Sequence, residues 1–302
     1  MSLTNEPRWI PIAPWLFLFV WGAGYGVAIL ALESTAPLNL LALHFVGAAL
    51  ALLPFVLIVR PVWPSSPALG DLLIVATFLR LGHFLCICFG LALAASAGVM
   101  ALFAASQPGL IAMVGSMVNR RIPSVRIWAG LIVGLLGASW VIFAQGHFSD
   151  GALLGAVLGF VAVVSLSLGQ VYDKRQRLKC HPLLVYVIQY TFASFVSVPV
   201  ALYLEGYQTE WSYPMISALS YLLFGNSLFG IFLMFTMVRF GAISRVTSIM
   251  FLVPGMAALI AWLVVDEVMP FDAWPAIGFA TSGVLLVLYA LGDVTKAGAE
   301  SS

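Results

Sequence analysis

Apolar residues run along this chain in blocks of about twenty, separated by short polar or proline-rich breaks. Ten blocks can be read, at roughly 12–32, 38–59, 68–93, 97–118, 124–144, 151–172, 182–204, 213–238, 243–264 and 272–292. The breaks fall at Pro37, the cluster Pro61, Pro64 and Pro67, then Pro123, Asp150-Gly151, His181-Pro182, Pro214 and Pro270. A helix rises about 1.5 Å per residue, so about 20 apolar residues cross a hydrocarbon layer about 30 Å thick. The pattern predicts an all-α protein of ten transmembrane helices with short loops and no inserted soluble domain. The first block is longer than a signal-peptide core and is followed by a hairpin partner, so it is expected to remain as an uncleaved anchor.

Composition sharpens this picture. Of 302 residues, 62% are hydrophobic and only 8% charged, with a mean hydropathy of +1.07. Soluble domains carry about 25% charged residues, so the main solvent for this surface is the lipid bilayer. The net charge is +1, and the basic residues form no broad face, which argues against a nucleic-acid partner. Cys86 and Cys88 lie inside an apolar run, and Cys180 in a basic loop. Free thiols are expected, without a disulfide framework or a metal pair, and no cofactor is implied.

Placing the N-terminus inside puts 12 of the 13 positive residues in cytoplasmic segments, among them Arg60, Arg120, Arg121, Lys174 and Lys296. The opposite loops carry Glu33, Asp150, Glu205, Glu210, Asp266, Glu267 and Asp272. This positive-inside bias predicts that both termini are cytoplasmic. Advancing the chain by 146 positions superposes Pro108-Gly109 on Pro254-Gly255, Trp128 on Trp274 and Gly137 on Gly283, without gaps. The same shift lays Arg120, Arg121 and Arg126 on Asp266, Glu267 and Asp272. A duplicated half with an odd number of helices must sit upside down, and its matching loop then sheds positive charge. The expectation is two inverted five-helix repeats, 1–146 and 147–302, an architecture of transporters with a midplane site.

The stretch from Arg239 through Arg245 and Pro254-Gly255 to Glu267 resembles the second EamA repeat of the drug/metabolite transporter superfamily. The shared pattern is an arginine with small residues entering a helix, a central proline, an acidic residue at the exit, and a following helix with spaced glycines, here Gly278 and Gly283. The first half is similar from Leu93 to Pro108 but carries Asn119-Arg120-Arg121 where the family often has Gly-Glu. The resemblance implies a ten-helix exporter or exchanger of small metabolites in a bacterial inner membrane. Amino acids are among the cargoes of such proteins, and an aromatic amino-acid subgroup is one option. It also implies a central cavity lined mainly by the third, fourth, eighth and ninth helices, with contributions from the first and sixth.

Candidate chemistry centres on Arg80, the one charge deep in a span. An arginine there costs about 2.5–3.5 kcal/mol on insertion scales, so it should face a cavity or a partner. A planar guanidinium can hold a carboxylate through two parallel hydrogen bonds. It can equally tie carbonyls or stack on a ring. His83, three residues on, shares its helix face and should stay neutral beside a cation. His44, in the second block, is a further candidate. Other mid-depth candidates for cavity lining are Trp21, Tyr25, Gln107, Gln189, Tyr190, Tyr221, Asn226 and Ser227. Each also fits ordinary packing or an interhelical hydrogen bond. Pro108, Gly109, Pro254 and Gly255 are candidates for a paired gate, or for fixed kinks. Gly151, Gly155 and Gly159 are expected to pack against a neighbouring helix.

No Asp or Glu falls at mid-membrane depth, so facilitated export or exchange is expected rather than proton drive. A membrane enzyme would need a convergent acid, base and nucleophile or a metal set, and no such motif is visible. The reading is a transporter of small polar metabolites, amino acids first, with aromatic or large apolar ones preferred. Purines, sugars, organic acids and drugs stay open as cargoes. Ten helices can enclose a pathway in a monomer, and a homodimer stays open as well.

Overall fold

The structure, a computed structural model, describes residues 9–120, 122–144, 150–176, 180–206, 208–239, 252–267 and 270–300. Its helices are α1 (Ala13–Leu32), α2 (Pro37–Val59), α3, α4 (Ala97–Ala105), α5 (Gln107–Val118), α6 (Val125–Ala144), α7 (Asp150–Gln176), α8 (Pro182–Leu204), α9, α10 (Val253–Val265) and α11 (Ala273–Glu300). Helix α3 is composite: Ser66–Ala76, a π segment Thr77–Gly82, then His83–Ala92. Helix α9 has the same construction, with Tyr213–Ser220, a π segment Tyr221–Phe229 and Gly230–Arg239. Among the described residues the one β feature is an isolated bridge between Thr35 and Thr209.

Seven of these helices are long and apolar enough to cross a membrane, and α4 with α5 passes the same test together as a pair bent by 41°. Two shorter apolar helices follow, Val253–Val265 and Ala273–Val287. Among the described residues the protein is thus all-helical, with the long apolar helices of a multi-pass membrane protein. Prolines open many of the helices. Pro14, Pro37, Pro67, Pro182, Pro214 and Pro254 sit in first turns, where a missing N–H costs nothing. Pro108 behaves the same way, and the bend expected there takes the form of a break of the 97–118 block into two helices. The chain breaks at Ser106, whose hydroxyl donates to the Phe103 carbonyl (2.6 Å), and restarts at Gln107. The block predicted at 243–264 is described only from residue 252, so its first part lies outside the described residues.

The 146-residue shift carries further than residue identity. It moves α2 onto residues 183–205, where α8 runs Pro182–Leu204, and moves Thr77–Gly82 onto residues 223–228, inside the π segment of α9. It places the start of α5 on Val253, the start of α10. Two left-handed residues map onto two others: Arg60 (φ 48°) onto Gly206 (φ 68°), and Arg120 (φ 55°) onto Asp266 (φ 51°).

Helix α6 packs along α11, α2 along α8, and α1 along α10. The α6–α11 contact is close because it is built from small residues. A Cβ at Gly130 would stand 2.5 Å from the Gly283 carbonyl oxygen, and one at Gly137 would stand 2.6 Å from the Ala280 Cα. Gly155 and Gly159 of α7 likewise meet Gly90 and Ala95, and Met100 and Phe103. Large apolar side chains such as Leu57, Ile58 and Phe195 point outward, as lipid-facing positions do.

One end of the bundle is clasped by polar groups. Both carboxylate oxygens of Glu205 accept from first-turn amides of α2, Leu38 N (3.0 Å) and Asn39 N (2.8 Å). A helix N-terminus offers unpaired N–H groups and a positive dipole end, so the carboxylate satisfies both. Thr35 and Thr209 hydroxyls meet at 2.8 Å, Asn39 Nδ2 donates to the Gln208 carbonyl (3.2 Å), and the Glu210 amide donates to the Ser34 carbonyl (2.9 Å). At the same end, Glu267 accepts from the Ala97 amide of α4 (3.3 Å). Burial pushes the Glu267 carboxyl above its ordinary value, and that amide opposes the rise.

The α6–α11 seam yields a direct expectation. Gly137→Val places branched carbon against the Ala280 backbone, and overpacking of this kind costs about 1–3 kcal/mol. The melting temperature of the purified variant should fall clearly, whereas Gly134→Val, with open space beside Gly134, should melt like the wild type.

Candidate binding cavity

A cavity of about 320 Å³ lies inside the bundle, walled by α1, α2, α3, α5, α7, α8 and α9. It begins beneath the clasped end, at Leu40 and Leu41 in the first turns of α2. Toward the opposite end it is lined by Phe17, Gln170, Tyr186 and Met234. Its volume sits at the low end of the range of roughly 300–1,000 Å³ typical of small-molecule sites.

Arg80 is its electrostatic centre. The side chain is 8% exposed. Nε donates to Gln189 Oε1 (3.2 Å) and Nη1 to the Tyr190 hydroxyl (3.2 Å). The guanidinium carbon lies 4.3 Å from the Tyr190 ring centre, 5.1 Å from that of Tyr186 and 5.9 Å from that of Phe84. All of these partners are neutral, and among the described residues no carboxylate lines the cavity. Cation–π contact of about 0.5–2 kcal/mol per ring face, with charge-assisted hydrogen bonds, replaces the water that a guanidinium loses on entering a membrane.

The π segment of α3 explains how Arg80 is aimed. A π turn leaves carbonyls without their i→i+4 partners, and such turns recur at functional positions. The Phe78 carbonyl accepts from the His83 amide five residues on and also from the Ser165 hydroxyl of α7 (2.9 Å), and Gly82 leaves room for that serine. His83 lines the cavity one step further on. Its Nδ1 faces the Ala162 carbonyl at 3.1 Å. A carbonyl only accepts, so Nδ1 carries the hydrogen and Nε2 is the open position. His44 Nε2 pairs with the Ser227 hydroxyl (3.1 Å).

The other sequence candidates divide. Trp21, Tyr25, Gln107 and Asn226 line the cavity with Arg80 and His83. Trp21 also stacks on Phe17 at 5.4 Å. Asn226 sits in the π segment of α9, its amide packed directly against Gly24, where any Cβ would displace it. Tyr221 is not part of the lining: its hydroxyl donates to the Val20 carbonyl (3.1 Å) and ties α9 to α1. Pro108, Gly109, Pro254 and Gly255 lie outside the lining too, at the starts of α5 and α10.

The walls differ from what the resemblance implies. α2 and α8 contribute His44, Tyr186 and Tyr190, and no described residue of α10 takes part. Sequence reasoning passes over Tyr186 and Phe84. Both carry a signal, since Tyr186 is one helical turn from Tyr190 and Phe84 one turn from Arg80.

Residues 153–289 match the model of the EamA-like transporter family. Among curated relatives, the uncharacterized transporter YvbV of Bacillus subtilis is 27% identical over 164 residues, 52% of each chain. YdfC of the same organism, also an uncharacterized transporter, is 25% identical over 183 residues, 57% of this chain and 56% of its own. The chain thus spans about half the length of those two relatives. YedA of Escherichia coli, an uncharacterized inner membrane transporter, is 24% identical over 277 residues, 89% of this chain and 87% of its own. One crystal structure of a protein 14% identical superposes over 94% of this chain and 98% of that one with a TM-score of 0.64, a likeness of fold. The chain is thus similar to EamA-like transporters over residues 153–289 and to these curated transporters over the spans stated.

The Arg80 cradle can be tested without knowing the cargo. Tyr190→Phe keeps the ring face and removes the hydroxyl that accepts from Nη1. A buried hydrogen bond to a charged group contributes about 1.5–3 kcal/mol. The variant should fold and should melt measurably lower than wild type, whereas an unchanged melting curve would show that Nη1 does not depend on Tyr190.

Proposed function

We propose that the protein is a bacterial inner-membrane transporter that exports or exchanges small carboxylate-bearing metabolites, aromatic and large apolar amino acids among them. It works by alternating access around the Arg80 cavity. The observation that carries this reading is a buried guanidinium, partnered by neutral groups among the described residues, inside a cavity of ligand size. A metabolite carboxylate supplies the missing counter-charge. The location follows YedA, named as an inner membrane transporter.

The architecture proposed is ten spans in two inverted five-helix repeats, 1–146 and 147–302, with both termini cytoplasmic. The support is the common register of helix ends, π segments and left-handed caps under one 146-residue shift. In this arrangement Glu205 and Glu267 close the outer end, and the cavity extends toward the cytoplasmic end. The helix starts at Pro108-Gly109 and Pro254-Gly255, matched by the 146-residue shift, are the hinges. At the first, α4 and α5 meet at a point where helical hydrogen bonding is interrupted, about which a short helix can swing. One copy of the chain encloses the cavity, so a monomer suffices. Transport rather than catalysis is supported by the family match and by the relatives named as transporters.

Counterflow in proteoliposomes tests this. Protein reconstituted with an internal pool of unlabelled amino acids should accumulate the labelled form transiently with no ion gradient imposed. Arg80→Ala should abolish that accumulation while leaving the yield of folded protein intact. Wild-type kinetics in that variant, or uphill uptake driven by a pH gradient alone, would contradict the reading.

A further inference from the structure

The charge inventory of the cavity narrows the class of cargo, on the premise that Arg80 grips a carboxylate as proposed above. We infer that the preferred cargo is a monoanion, a single carboxylate on an apolar or aromatic body, with no ammonium group beside it.

Three observations converge. First, the lining holds one permanent cation and, among the described residues, no Asp or Glu. Glu205 and Glu267 spend their carboxylates on helix N-termini at the clasped end. Second, the remaining polar lining is neutral. Gln107, Gln170 and Asn226 present side-chain amides, and the two histidines are held through one ring nitrogen each, by Ala162 and Ser227. Third, the aromatic faces nearest the charge, Tyr186, Tyr190 and Phe84, already carry the guanidinium, so they are not available as a cage for a second cation.

These features treat an anion and a zwitterion differently. A carboxylate paired with Arg80 makes the occupied cavity neutral, which is the favourable state in a low-dielectric space. An α-amino acid held the same way brings its ammonium to the carbon next to the carboxylate. That places a positive group beside the guanidinium with no carboxylate among the described lining residues to pair with it, Asp173 and Glu205 acting only from behind Tyr186 and Cys88. Like charges at short range in a desolvated site disfavour binding. The apolar wall of Phe17, Trp21, Ile87, Leu222 and Met234 suits the body of the cargo.

The test uses three probes with one carbon frame: 3-phenylpropanoate, phenylalanine and 3-phenylpropylamine. Binding to the purified full-length protein is measured by calorimetry at pH 7.5. Exchange in proteoliposomes is measured above the leak of protein-free vesicles. The expected result is binding of 3-phenylpropanoate at least tenfold tighter than phenylalanine, and none for the amine. Arg80→Lys should keep the order, and Arg80→Gln should bring the anion and the zwitterion to within about twofold of each other. A loss that is purely structural would weaken both probes alike and leave their ratio unchanged. Phenylalanine bound and exchanged as well as 3-phenylpropanoate would overturn the inference and leave the transporter reading standing. Failure of the folded protein to bind or exchange either carboxylate would overturn both.

Discussion

Arg80 carries a positive charge into the middle of an apolar bundle, and most of the surrounding arrangement answers that one constraint. No carboxylate among the described lining residues meets it. Instead the structure spreads the charge over a hydroxyl, an amide and three ring faces drawn from two helices. The π segment that aims Arg80 is tied to α7, because the Phe78 carbonyl, already bonded to the His83 amide, also accepts from Ser165. Charge, helix geometry and packing are therefore coupled across α3, α7 and α8. A group held by neutral partners keeps its charge unpaired within the lining, which is the feature a small anion can complete.

The construction is repeated in a second form. The 146-residue shift that carries Thr77–Gly82 into the π segment of α9 places Asn226 at the position of Arg80. The two wall helices thus present their central polar side chains from equivalent turns, one charged and one neutral. Gly24 opens the space for the Asn226 amide, much as Gly82 opens space for Ser165. The polarity of the site is concentrated at one pole, and the rest of the wall is left apolar.

Much of the fold is legible in the sequence because hydropathy and proline placement act locally. The blocks 38–59, 182–204 and 213–238 agree with α2, α8 and α9 to within about a residue at each end, since Pro37, Pro182 and Pro214 mark helix starts by lacking an N–H. Hydropathy is blind to the break in 97–118, because both sides of Ser106 are equally apolar and the interruption is a matter of backbone hydrogen bonding. The π segments are invisible for the same reason. Their effect is visible at Tyr221, a polar-tipped residue at mid-span that reads as cavity lining and instead caps the Val20 carbonyl. Arg80 stands out from the sequence by the cost of its burial alone. Tyr186 does not, because a tyrosine four residues into a span also reads as an interface anchor, and only the fold brings it over the guanidinium.

The clasp at the Glu205 end and the extension of the cavity toward the other end give the bundle a polarity that suits a carrier holding its site open to one side. The account stands or falls on what Arg80 does when cargo is present. A structure of the protein with 3-phenylpropanoate bound addresses this directly. The carboxylate is predicted to sit in the cavity with its oxygens about 2.7–2.9 Å from the Arg80 nitrogens, its ring against Trp21 and the apolar wall. A carboxylate located away from Arg80, with the guanidinium still satisfied by Gln189 and Tyr190 alone, would contradict the account.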